Sequence, residues 1–175
     1  MAEKYGLLID YTWCTGCHSC EMACKVEHGW QAGEANGIQL FEDGPRLMPN
    51  GKYEYNYLPV MTSLCDLCAD RTAMGKLPTC VHHCQSACMK YGTVDELAEK
   101  AKEMLAEAGY EPGELTLTMS MHAQNVLTRM AEVIQAYLAD VGINMEIQAL
   151  DTAAWVAALA EGQTQMGFNA NSNTS

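Results

Sequence analysis

The chemistry legible in this chain sits in its cysteines. Cys14-Thr-Gly-Cys17-His-Ser-Cys20-Glu-Met-Ala-Cys24 forms a C-x2-C-x2-C-x3-C run. A second set, Cys65-Asp-Leu-Cys68, is followed after eleven residues by Cys80-Val-His-His-Cys84. In the first spacing, three thiolates on one tight loop grip three corners of a four-iron cubane. The fourth, thrown onto the following helix, reaches a different cluster. That division of labour needs a second run with the same logic, and the chain supplies it. Eight thiolates in two runs of four suit two [4Fe-4S] clusters that exchange their fourth ligands.

The elements that must hold these thiols follow from pattern. Lys4–Tyr11 is apolar and β-prone and reads as a short strand feeding the first cysteine loop. Gly16 lies inside that loop, where free φ lets backbone N–H groups turn toward cluster sulfurs. Ser19–Glu27 reads as a helix with Cys20 and Cys24 at i and i+4, ended by His28-Gly29. Trp30–Gly51 reads as a covering insertion or docking surface with one strand-like segment, Ile38–Phe41. Tyr53, Tyr55 and Tyr57 alternate as a surface β-segment; a partner-facing aromatic surface is the sharper reading. Asp66–Met74 is a turn or short helix, and Thr79 to Cys88 a helix with Cys80 and Cys84 at i and i+4. Lys90–Val94 closes the unit as a strand.

After residue 94 the texture changes. Asp95–Ala108 reads as an amphipathic helix, and Leu115, Leu117, Met119 and Met121 alternate as a strand. Val126, Met130, Val133, Ile134, Tyr137, Leu138 and Val141 mark a second helix. Ile143–Ile147, Thr152–Ala160 and Gln165–Asn169 then read as strand, helix and strand, with a frayed Asn-rich tail. The order α-β-α-β-α-β predicts a small α/β unit.

Composition agrees with a two-part chain. Residues 1–94 hold 7 Lys/Arg against 10 Asp/Glu and all nine cysteines, whereas residues 95–175 hold 3 against 12 and no cysteine. The net charge of −12 disfavours nucleic acid or an anionic membrane as partner. No run of roughly 18 apolar residues suggests a membrane-inserted helix. The N-terminus lacks a signal-peptide apolar run and a twin-arginine pair, so it reads as cytoplasmic, or as co-exported with a signal-bearing partner. Nine cysteines there argue for metal over disulfides, and an odd number cannot all pair.

Two resemblances sharpen these expectations. Gly6-Leu-Leu-Ile-Asp-Tyr-Thr-Trp-Cys14-Thr-Gly-Cys17-His-Ser-Cys20, Cys65-Asp-Leu-Cys68-Ala-Asp-Arg71, Gly75-Lys-Leu-Pro-Thr-Cys80-Val and Lys90-Tyr-Gly-Thr-Val-Asp-Glu-Leu97 resemble the iron–sulfur electron-transfer subunits of the dimethyl sulfoxide reductase superfamily of molybdopterin oxidoreductases. The resemblance implies an α+β fold with a ferredoxin-like dicluster domain over residues 1–97. It implies that Cys14, Cys17, Cys20 and Cys84 bind one [4Fe-4S] cluster, and Cys65, Cys68, Cys80 and Cys24 the other. It implies as partners a molybdopterin-containing catalytic subunit and a redox donor or membrane-anchor subunit. The chain departs from the ferredoxin pattern in having Lys25 and Gln85, not proline, after the fourth cysteines, and it has runs for two clusters only. Residues 98–175 instead resemble a C-terminal-lobe fragment of family 5 extracellular solute-binding proteins, which serve peptide or nickel transporters. The matching stretches are Ala101-Lys-Glu-Met-Leu-Ala-Glu-Ala-Gly-Tyr110 and Ala131-Glu-Val-Ile-Gln-Ala-Tyr-Leu-Ala-Asp-Val-Gly-Ile-Asn-Met-Glu-Ile147. This half is read as a fused passenger, making the chain chimeric.

The leading expectation is electron transfer through two clusters, with no catalytic residue of the chain's own. The alternatives are a zinc-binding structural module built from the same thiols and solute binding by the C-terminal half. The other polar residues have plainer readings. Cys88 reads as a small buried hydrophobe. Arg71 reads as a cluster counter-charge or an ion-pair partner, and His28 shows no partner. Trp13 and Trp30 read as shields against water.

Overall fold

A computed structural model describes residues 3–48, 50–123, 125–160 and 166–167. The chain divides into two compact units, Met1–Leu97 and Ala98–Ser175. No helix among the described residues is long and apolar enough to cross a membrane.

The first unit opens with β1 (Tyr5–Ile9) and a 3-10 turn at Tyr11–Trp13, where the Asp10 carboxylate accepts from the Thr12 N–H at 3.0 Å. The strand is thus shorter than Lys4–Tyr11, because this aspartate caps a turn before the cysteine loop. Helix α1 (Ser19–His28) follows, with Cys20 and Cys24 on its buried face. β2 (Ile38–Leu47) and β3 (Tyr53–Met61) then pair as an antiparallel hairpin, with a bulge between Asp43 and Arg46. The insertion expected from sequence is therefore half of a two-stranded ribbon. Glu21 of α1 holds it in place: one carboxylate oxygen accepts from the Leu40 N–H at 2.8 Å, the other lies 2.6 Å from His18 Nδ1.

Two short helices come next, α2 (Ala69–Ala73) and α3 (Thr79–His82). The helix expected from Thr79 to Cys88 is corrected here. α3 ends after four residues, and the chain reaches Cys84 and Cys88 through turns in which Ala87 adopts φ 53°. β4 (Met89–Thr93) pairs antiparallel with β1, from Ile9 opposite Met89 to Tyr5 opposite Thr93. Opening and closing strands therefore sit side by side, which brings the two cysteine runs back to one place. α4 (Val94–Glu107) starts on a capping box: the Glu96 N–H donates to Thr93 Oγ1 at 3.2 Å, and the Thr93 N–H donates to the Glu96 carboxylate at 2.9 Å. These bonds to Thr93 hold the Glu96 carboxyl below its usual range.

The second unit is built on β5 (Thr116–His122), the middle strand of a parallel sheet ordered β6-β5-β7, with β6 at Asn144–Leu150 and β7 at Met166–Gly167. Helices α5 (Asn125–Asp140) and α6 (Thr152–Ala160) are the connections. A central parallel strand is buried on both faces, so Met119, Ser120 and Met121 are all buried instead of alternating. The Ser120 hydroxyl, inside, donates to Gln148 Oε1 at 3.0 Å. The expected core face of α5 is half corrected. Leu127, Ala131, Ile134 and Leu138 face the sheet, while Val126, Met130, Val133 and Tyr137 are exposed. Both sets recur at helical spacing; the one with Ala131, fully buried, lets the helix approach the sheet closely. Of the last expected strand, only Met166 and Gly167 lie within the described residues, and the tail lies outside them.

Met121 is fully buried against Met119, Ala131 and Met145. Met121→Ala is expected to destabilise this unit by about 2–5 kcal/mol. The check is the urea dependence of proteolytic cleavage within residues 116–150.

Candidate metal centres

The core of the first unit is made largely of thiols. Cys20, Cys24, Cys80 and Cys88 are buried together with Ile38 and Met89, and Leu7, Ile9, Cys14, Trp30, Val81 and Cys84 pack around them. All nine cysteines are free. An apolar core of this size would ordinarily be branched hydrocarbon, so a concentration of sulfur here points to ligation.

The thiols fall into two sets by which sulfurs act on which. Cys24, Cys65, Cys68 and Cys80 line one narrow cavity, closed by Ile38 and Pro78. Burial pushes the Cys80 thiol up to about 12, and the neighbouring Cys68, Cys24 and Cys65 add to it. The Cys24 thiol is raised by burial, with Cys68 and Cys65 adding to the effect. In the other set, Cys14 acts on Cys20, Cys84 on Cys17, and both Cys84 and Cys14 on Cys88. Cys20 and Cys24, one helical turn apart on α1, thus face different sets.

Backbone amides serve these sulfurs. The Thr79 N–H lies 3.5 Å from Cys68 Sγ. The Gly37 and Ile38 N–H groups donate to Cys24, countering part of the burial effect. Such N–H···S bonds favour the thiolate, the form that binds metal. The backbone is bent to allow this. The four non-glycine residues at positive φ among the described residues are His18, Leu67, Cys68 and Ala87. All lie in the cysteine loops, and strain of this kind collects at working sites. In the second loop Asp66 accepts from the Cys68 N–H at 2.8 Å, fixing its turn.

Two glycines allow close approaches, one to a sulfur and one to an aromatic ring. A Cβ on Gly37 would stand 3.2 Å from both Cys24 Sγ and Cys65 Cα. Gly16, at φ 69°, has the Tyr57 ring where a Cβ would be, so β3 lies over the first cysteine loop. The donor set therefore fits thiolate-ligated clusters: four thiols in one group and four besides Cys88 in the other, N–H donors on the sulfurs, and backbone shaped around them.

Several other residues land differently from their sequence readings. Sequence reasoning missed His28. Its Nε2 lies 3.8 Å from Cys68 Sγ and 3.6 Å from Asp66 Oδ1, and its ring stacks on Trp30 with centroids 4.7 Å apart. The signal was present: His28 stands four residues after Cys24, on the same helix face. Arg71 resolves to an ion pair, 3.3 Å from Glu27, and donates to the Leu77 carbonyl at 2.8 Å. Trp13 is exposed and shields little; Trp30 packs on the thiol core. Cys88 is buried as expected, but its Sγ lies 3.4 Å from that of Cys84.

The chain is similar to subunits of several oxidoreductases, one of them named as an iron–sulfur subunit. The B subunit of the anaerobic dimethyl sulfoxide reductase of Escherichia coli is 28% identical over 80% of this chain and 98% of that protein. The B subunit of the polysulfide reductase of Wolinella succinogenes is 30% identical over 45% of this chain and 39% of that protein. The formate dehydrogenase-O iron–sulfur subunit of Escherichia coli is 30% identical over 60% of this chain. The chain spans about two fifths of these last two relatives, 39% and 38%. The other half has a different kinship. The family described as bacterial extracellular solute-binding proteins, family 5, middle, matches residues 85–175, and through this half of its length the chain belongs to that family. The match begins at Gln85, earlier than the resemblance from residue 98. NikA from Brucella suis, solved with Fe(III)-EDTA, is similar over 39% of this chain and 16% of its own, at 25% identity and a TM-score of 0.36.

In the metal-free, reduced protein at mildly alkaline pH, Cys17 is expected to alkylate first. It is exposed, and the Ser19 hydroxyl and N–H favour its thiolate. Cys20 and Cys80, pushed up to about 12 by burial, are expected to alkylate last. Peptide mass spectrometry over a labelling time course checks the order, and equal rates at Cys17 and Cys80 would contradict it.

Proposed function

We infer that the first unit is a ferredoxin-like electron relay with two [4Fe-4S] clusters. One is held by Cys14, Cys17, Cys20 and Cys84, the other by Cys65, Cys68, Cys80 and Cys24. The observation that carries this reading is the cavity that gathers Cys24 with Cys65, Cys68 and Cys80 and leaves out Cys20, one turn away on α1. That is the exchange of fourth ligands expected of two adjacent clusters. Each bound cluster would supply one-electron chemistry. The protein's own residues hold the sulfurs, donate amide hydrogen bonds to them, and keep water from Cys20, Cys24 and Cys80.

The spacing of the sulfurs favours clusters over zinc. A single tetrahedral zinc ion with Zn–S of about 2.3 Å would draw its four sulfurs to about 3.8 Å from one another. Among the described residues no three cysteine sulfurs lie within 4.8 Å of one another; the one such triple of possible ligands is His28, Asp66 and Cys68.

The partner proposed is the molybdopterin-containing catalytic subunit of an oxidoreductase, with a redox donor or membrane-anchor subunit at the other end. The relatives support it, being named as chains or subunits of a dimethyl sulfoxide reductase, a polysulfide reductase and a formate dehydrogenase. Solute binding by residues 98–175 is the second reading. It rests on the family match and on a cavity of about 310 Å³ in that unit, beside Leu105, Tyr110, Pro112 and Val141.

Anaerobic titration with dithionite tests the relay. The protein is expected to bleach in the visible and take up about two electrons per chain. Cys24→Ala and Cys80→Ala should lose the same reduction step, and Cys14→Ala the other. A colourless protein that takes up no electrons, as a zinc protein would be, contradicts the proposal.

A further inference from the structure

The ninth cysteine stands where a ligand could stand. Cys88 follows Cys84 by one turn of irregular chain, the Ala87 N–H closing on the Cys84 carbonyl at 3.2 Å. Its own carbonyl accepts from the Asp10 N–H at 2.9 Å. Cys88 is thereby fixed at the mouth of the β1–β4 pair, where the chain enters the first cysteine loop. Its thiol is buried at 6% exposure, while Cys84 is only half-buried. The two sulfurs are 3.4 Å apart, and Cys14 acts electrostatically on Cys88 as Cys84 does. A spacer residue has no need of a sulfur in this position; an alanine would fill the same role in the core.

We propose that Cys88 is a reserve ligand for the iron corner held by Cys84: when Cys84 is lost or released, Cys88 ligates in its place. This rests on the two-cluster reading above. The exchange needs no oxidant. The Cys88 thiol gives up its proton as its sulfur binds iron, and the departing Cys84 sulfur takes up one proton. Total charge and electron count are unchanged. In a variant without Cys84, the Cys88 proton goes to solvent.

The test is iron and acid-labile sulfide per chain, with low-temperature EPR after reduction, on full-length protein purified anaerobically. Wild type, Cys84→Ala, Cys84→Ser, Cys88→Ala and the double variant Cys84→Ala/Cys88→Ala are compared. Wild type, both Cys84 single variants and Cys88→Ala are expected to hold about eight iron and eight sulfide, and the double variant about four of each. The Cys84 variants should show an altered EPR signal from one cluster, since the replacing sulfur comes from a different backbone position. The proposal is overturned if wild type holds about eight iron but the Cys84 variants drop to the level of the double variant. Cys84→Ser, nearly isosteric, guards against a loss that merely reflects misfolding. Wild type lacking sulfide would instead overturn the two-cluster reading itself, so the two failures are distinguishable.

Discussion

The N-terminal unit depends on sulfur more than on hydrocarbon. Its buried cluster holds four cysteines against one isoleucine and one methionine, with two more cysteines packed around it. A thiol is a small hydrophobe, and a core of this kind buries less apolar area than one of leucine and valine. The two-stranded ladders beside it, β1–β4 and β2–β3, are marginal alone in water. Burial also opposes ionisation of Cys20 and Cys80, both pushed up to about 12. Ligation reverses each of these deficits, since it takes up the thiolates, joins distant loops and supplies binding energy that is also folding energy. The left-handed residues in the cysteine loops are local costs that a bound centre would offset.

How much of this was legible depends on the length scale of each signal. The cysteine spacings and the helix carrying Cys20 and Cys24 are local patterns, and α1 runs close to where its i, i+4 spacing and Gly29 put it. Pairing of Ile38–Leu47 with Tyr53–Met61 is a contact between segments, and neither segment alone announces it. The early end of α3 was hidden because Cys80 and Cys84 have helical spacing whether or not the helix continues; Ala87 at positive φ decides it. α5 carries two apolar stripes, and only the sheet selects Leu127, Ala131, Ile134 and Leu138 over Val126, Met130, Val133 and Tyr137. His28 and Cys88 carry no ligand signal of their own in the sequence for a related reason. Each stands four residues after a cysteine, but only the turns of the fold bring His28 to Cys68 and set the Cys88 sulfur beside that of Cys84.

The chain also joins two kinds of stabilisation. In residues 98–175 the core is methionine and alanine with leucine and isoleucine packed around them, with no thiol and no non-glycine residue at positive φ among those described. The core of that unit is hydrocarbon and thioether, and this half of the chain is the one that belongs to a solute-binding family. The two halves should therefore respond differently to any treatment that removes metal while sparing hydrocarbon.

Amide hydrogen exchange on the anaerobically purified chain, before and after its metal is stripped, measures this difference most directly. Protection in Tyr5–Ile9, Ser19–His28 and Met89–Thr93 is expected to collapse on stripping, while Thr116–His122 and Asn144–Leu150 exchange as before. Unchanged protection across the first three segments would contradict the account, because the sulfur core would then be holding the fold by itself.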